Sequence, residues 1–302
     1  MNWFLIALMG PLLWALVNHV DKYIISRYFS GRGVGSLVMF TSASGLIISL
    51  IILACNHSAL SLGVGNALII AANGALLVAA FIPYLYALEN EEASWTSTLF
   101  QLIPVFGYVL AWVFLGEQLA GRQLWGSALI IVAAIAISLD LSRRIAFKAK
   151  PFWLMILSSV MIAFNALIFK WVALDENFWG TAFWEYIGGA FFGLLLFTCI
   201  PLYRRQFIAT IRRGKARILG VNMVAEFLNI GAKLAANFAS LLAPLALVWV
   251  VNGFQPLIVF IYGVILTLFL PKFGQEDISR RTVLQKLTAI AVMLVGIWLL
   301  FV

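Results

Sequence analysis

The chain has 302 residues, 64% of them hydrophobic and 11% charged, and its 20 Lys and Arg against 12 Asp and Glu give a formal net charge of +8. No soluble domain of this length needs so much apolar surface. With two histidines (His19, His57) and two cysteines (Cys55, Cys199) there is no metal-ligand cluster, and neither a phosphate-cradling glycine loop nor a nucleophile–base constellation can be assigned; the expectation is a non-enzyme without a cofactor.

Apolar runs of about 20 residues are long enough to cross a bilayer as helices. Ten follow one another, near residues 3–23, 34–54, 66–88, 94–116, 122–140, 152–174, 180–202, 218–238, 244–270 and 283–302. None alternates with the period of two that barrel strands require, so the spans must be helical. The first starts at Trp3 with no basic residue ahead and no convincing small-residue cleavage site, unlike a signal peptide. Within it Asn18, Asp21 and Lys22 share a face, at a cavity or its cytoplasmic mouth, although Lys22 can equally snorkel to the headgroups. Trp14 lies deeper and is a candidate for stacking on a flat solute. The third span carries Asn66 and Asn73 with Tyr84 in line. The fourth has Thr98, Gln101 and, near its middle, Pro104; the sixth has Asn165 and the seventh Glu185.

The eighth span is the most informative. Asn222, Glu226, Asn229, Lys233 and Asn237 are spaced 4, 3, 4 and 4. At about 100° per residue they fall within an arc of roughly 80° over ~22 Å of helix axis. A Glu or Lys near mid-bilayer costs about 2.5–3.5 kcal/mol, so this stripe must face other helices or a watery cavity. Glu226 and Lys233 are seven residues apart, too far for a local pair. Each binds solute or finds a partner elsewhere, such as Lys22 for Glu226 or Glu185 for Lys233. A carboxylate so placed can take up and release a proton, so proton coupling is considered. The ninth span adds Trp249, Asn252, Gln255 and Pro256. Single amides in membranes are more often interhelical glue than ligands.

The basic residues are unevenly spread. Sixteen of the 20 lie after the first, fifth, seventh and ninth spans: Arg27, Arg32; Arg143, Arg144, Lys148, Lys150; Arg204, Arg205, Arg212, Arg213, Lys215, Arg217; Lys272, Arg280, Arg281 and Lys286. The opposite connections hold Arg122 alone. Cytoplasmic loops carry excess Lys and Arg, which places these four connections in the cytoplasm and both termini outside it. The acidic run Glu89, Glu91, Glu92 does not overturn this, because acidic residues contribute little to orientation. The charge therefore speaks for anionic headgroups at the cytoplasmic face, met by the amphipathic stretch 204–217, and against nucleic acid. Cys55 and Cys199 are expected at opposite faces, unpaired.

The two halves look alike. An offset of 152 brings Pro104 onto Pro256 and Tyr86-Ala87 onto Phe238-Ala239, and Trp14–Lys22 and Ile162–Lys170 both end in lysine. Two five-helix repeats, 1–145 and 146–302, would be inverted relative to one another, because five is odd. Inverted repeats are typical of transporters, with substrate sites near mid-membrane.

The stretch from Pro104 through Phe114-Leu115-Gly116-Glu117-Gln118-Leu119 resembles the EamA-type repeat of the drug/metabolite transporter superfamily. The second half departs from it, with Phe269-Leu270-Pro271-Lys272-Phe273-Gly274-Gln275-Glu276-Asp277 where the Gly-Glu pair is expected. Glu185, Lys22 and Lys170 fall where members often carry charges. The resemblance implies a ten-helix basket around a central cavity, moving small organic solutes by alternating access. The expectation is thus an all-α polytopic membrane protein, located in a bacterial inner membrane. It would export a small polar or zwitterionic metabolite. A flippase for a lipid-linked sugar or polyprenyl phosphate, and a non-transporting scaffold, are the alternatives. The expected solute contacts are Trp14, Asn18, Asn73, Gln101, Asn165, Glu185, Asn222, Glu226, Asn229, Lys233, Trp249 and Gln255.

Overall fold

The computed structural model describes residues 2–28, 33–88, 99–138, 149–213, 216–269 and 280–301. Among them every regular element is a helix. In order these are α1 (Asn2–Tyr28), α2 (Val34–Cys55), a 3-10 turn (His57–Leu60), α3 (Val64–Leu88), α4 (Ile103–Leu115), α5 (Gly121–Ser138) and α6 (Ala149–Asp175). There follow α7 (Phe178–Cys199), α8 (Pro201–Arg213), α9 (Ala216–Leu242), α10 (Leu245–Val251), a 3-10 turn (Asn252–Phe254), α11 (Gln255–Phe269) and α12 (Arg280–Phe301). Seven stretches, with α10–α11 taken as one, are long and apolar enough to cross a membrane, while α4 and α5 are apolar but shorter. The chain is a multi-pass membrane protein, all-helical among its described residues. Trp95, Thr98 and the acidic run at 89–92 lie outside the described residues, as do Arg32, Arg143, Arg144, Lys148, Lys215 and the stretch 270–277.

The prolines do not sit mid-helix as expected. Pro104 is the second residue of α4, after a turn at Gln101-Leu102, and Pro256 is the second residue of α11, after the 3-10 turn that ends α10. Proline lacks an N–H and fits the first helical turn, where that donor has no partner. Each one therefore marks where a helix restarts. The seventh predicted span also ends early: Ile200 is extended, as a residue before proline tends to be, and Pro201 opens α8. Gly116 closes α4 in the left-handed region (φ 65°), which glycine adopts without a Cβ penalty.

In the bundle α1 packs along α9, α3 along α6, α2 along α7, α5 along α12, and α4 against α10. The α3–α7 crossing is glycine-mediated. A Cβ on Gly74 would run into the Glu185 carbonyl, and one on Gly188 into the Ala71 backbone. Gly188→Ala is accordingly expected to destabilise by about 1–3 kcal/mol or more, read as a lower melting temperature in detergent; a melt at the unsubstituted temperature would show that the crossing can open freely.

The two ends of the bundle differ. At one end the Asn177 side chain donates to Ser58 Oγ at 2.7 Å and Asn66 to Glu176 Oε1 at 2.7 Å. Trp3, Leu119 and Leu300 share a core cluster that belongs to the same end. At the other end α8 packs on the start of α2: Gly35 N–H donates to Gln206 at 2.9 Å, the Ser36 and Thr210 hydroxyls are 2.8 Å apart, and Arg204, Arg205 and Arg212 are exposed. Cys55 and Cys199 end α2 and α7, which run antiparallel with Gly193 on Ser42 and Gly45 facing Tyr186, so these exposed, free cysteines lie at opposite ends.

Candidate functional site

A cavity of about 220 Å³ lies among α1, α2, α3, α6, α7 and α9 and the two helix restarts at α4 and α10–α11. Trp14, Asn18, Gln101, Asn165, Glu185, Glu226, Asn229, Lys233, Trp249 and Gln255 all line it. Asn73 and Asn222, also expected there, do not. Asn73 sits behind the wall and its amide donates to Asn165 O (3.0 Å) and Glu185 Oε1 (3.1 Å), while Asn222 is buried with its Nδ2 unpartnered.

The charges are held unequally. Lys233 Nζ is 2.7 Å from Glu185 Oε2, and the other Glu185 oxygen accepts from Asn165 (2.8 Å) and Asn73. That carboxylate is 1% exposed, so its ion pair and two amides replace the water it has lost. Glu226, 9% exposed, receives neutral donors: Thr41 at 2.8 Å, Ser44 at 3.4 Å and the side-chain amide of Asn229. Among the described residues no ion pair reaches it.

Aromatic rings make up much of the remaining wall. Trp14 and Trp249 face one another nearly parallel, 6.3 Å between centroids and 15° between planes, and Trp14 Nε1 donates to Asn229 at 2.7 Å. Tyr84 packs on Phe100 at 4.9 Å. Several buried polar atoms at the wall have no partner among the described residues: Tyr186 OH, Asn237 Nδ2, and both side-chain polar atoms of Asn252. Buried polar groups are ordinarily hydrogen-bonded, so these are sites for a solute or for water. Thr41, Ser44 and Tyr186 escape a reading of the sequence, because a hydroxyl within an apolar run gives no periodic signal. Tyr186 follows Glu185, and the small polar run Thr41-Ser42-Ala43-Ser44 is the only other hint.

Toward the 58–66 connection, outside the cavity lining, lies a clasp. Lys170, 5% exposed, pairs with Glu117 and donates to Ala243 O at 2.8 Å. The second Glu117 oxygen accepts from Leu245 N–H at 2.8 Å, which satisfies a free donor at the start of α10. The glutamate after Gly116 thereby ties the end of α4 to α6 and to the α9–α10 connection. The Gly-Glu pair and Lys170 are noticeable in the sequence, but their mutual contact is not.

Residues 1–139 match the EamA-like transporter family. The match spans nearly all of the first expected repeat, where the motif ending in Gly116-Glu117 lies, and stops short of the second. A solved crystal structure, described only as that of a protein, superposes over 99% of this chain and 96% of its own with a TM-score of 0.63 at 14% identity, a likeness of fold alone. No curated protein matches the sequence.

Proposed function

We propose that the chain is a secondary transporter that exports a small polar or zwitterionic organic metabolite by alternating access. The observation that carries this reading is the cavity, where ten of the twelve expected contacts converge around buried charges and unpartnered polar atoms. A packed-shut scaffold would leave no such space.

Two inverted repeats, 1–145 and 146–302, account for the packing. Exchanging the repeats turns the α1–α9 pair into α6–α3, and it maps the pairs α2–α7 and α5–α12 onto themselves. The symmetry is broken most strongly where α3 packs extensively on α7 while its counterpart contact, α9 on α2, is slight. For a flippase, that seam beside Glu226 is where a lipid-borne substrate would enter. The Glu226 carboxylate would repel a phosphate there, which ranks this reading second.

Alternating access requires the Lys170–Glu117 clasp to open when the cavity faces the end carrying Trp3 and Leu300. Basic α8 marks the opposite, cytoplasmic end, its arginines on anionic headgroups. Arg213→Cys is expected to react only with membrane-permeable thiol reagents in intact cells. Labelling by an impermeant reagent would reverse the orientation and with it the direction of export.

The substrate is found by thermal stabilisation across a metabolite panel, because a ligand of the folded state raises apparent stability. A small polar solute should raise the melting temperature, and a panel in which only lipid-linked sugars do so would favour the flippase.

A further inference from the structure

We infer that the solute is an organic cation with an apolar or aromatic body and no carboxylate of its own, an inference that rests on the transporter reading of the cavity. Three formally charged side chains line the cavity among the described residues: Glu185, Lys233 and Glu226. Two of them cancel. Lys233 is 2.7 Å from Glu185, which is held in turn by Asn73 and Asn165. Glu226 remains, with the neutral donors Thr41, Ser44 and Asn229 and no cation among the described residues. With Glu226 ionised, the described wall therefore carries an excess of one negative charge in a setting where an uncompensated charge is costly.

A bound cation supplies the missing charge. An anion meets Glu226 directly. A zwitterion must set its carboxylate against Glu226 or draw Lys233 away from a carboxylate that is 1% exposed. The indole faces of Trp14 and Trp249 attract a cation through their quadrupoles and accept a flat apolar body.

The test uses the purified full-length chain and four probes that share one phenyl ring: 2-phenylethylammonium, phenylalanine, 3-phenylpropionate and 2-phenylethanol. Binding is read by calorimetry. The ammonium should bind at least about tenfold more tightly than each of the others, and Glu226→Gln should bring it down to the level of the alcohol without changing the alcohol. Should that variant fail to fold, the ranking of the four probes on the unsubstituted chain decides. Tighter binding of phenylalanine or phenylpropionate, weakened by Trp249→Ala, overturns the charge preference and leaves the cavity as the site. No binding by any probe, or binding indifferent to Trp249→Ala, overturns both.

Discussion

Lys233→Met is expected to lower stability by about 3–5 kcal/mol, the range for removing one partner of a buried ion pair. Glu185 would be left 1% exposed with two amide donors and no cation. The double variant Lys233→Met/Glu185→Gln should recover most of the loss, because Gln keeps an acceptor for Asn73 and Asn165 without the charge. Melting of the three proteins in one detergent checks this. If Lys233→Met melts with the unsubstituted protein, or the double variant melts no higher than the single, the two residues do not form the charge network that the geometry indicates.

Glu226→Gln should behave in the opposite way, folded but inactive. The amide oxygen can still accept from Thr41, so the melting temperature should move little, whereas solute transport should fall by roughly 10–100-fold, the worth of a hydrogen bond to a charged group. Because Lys233 is engaged by Glu185, no ammonium among the described residues pairs with Glu226, and under the proposed alternating access it is the carboxylate that would exchange a proton. Transport by the unsubstituted protein should then depend on an imposed pH gradient, and the Glu226→Gln variant should lose that dependence. Equal rates with and without the gradient in the unsubstituted protein would leave a facilitator, with Glu226 as a binding charge only.

The α9 stripe was legible in the sequence because helical periodicity fixes which residues share a face. Glu226, Asn229, Lys233 and Asn237 all reach the cavity, and only Asn222 turns out to be buried away from it. Trp14 and Trp249 were legible by their depth within the spans. What a single helix cannot encode is the partner on another helix. Glu185 and Lys22 both remained open as counter-ions from spacing alone, and the Lys233–Glu185 contact depends on how α7 and α9 meet across the bundle. The Glu117–Lys170 clasp was hidden for the same reason, its members standing 53 positions apart in the chain. Proline signalled irregularity near Gln101 and Gln255 but not its form. A bend and a restart share that signal, and here the helix restarts, placing Gln101 and Gln255 at the cavity wall.

The central claim is that solute crosses the membrane through this cavity. The most direct measurement is uptake into proteoliposomes of the solute that most stabilises the purified chain, compared among the unsubstituted protein, Glu226→Gln and protein-free liposomes. Uptake by the unsubstituted protein alone, saturating with solute concentration, is the predicted result. Uptake by Glu226→Gln at the unsubstituted rate, or no uptake above protein-free liposomes by either protein, would contradict it.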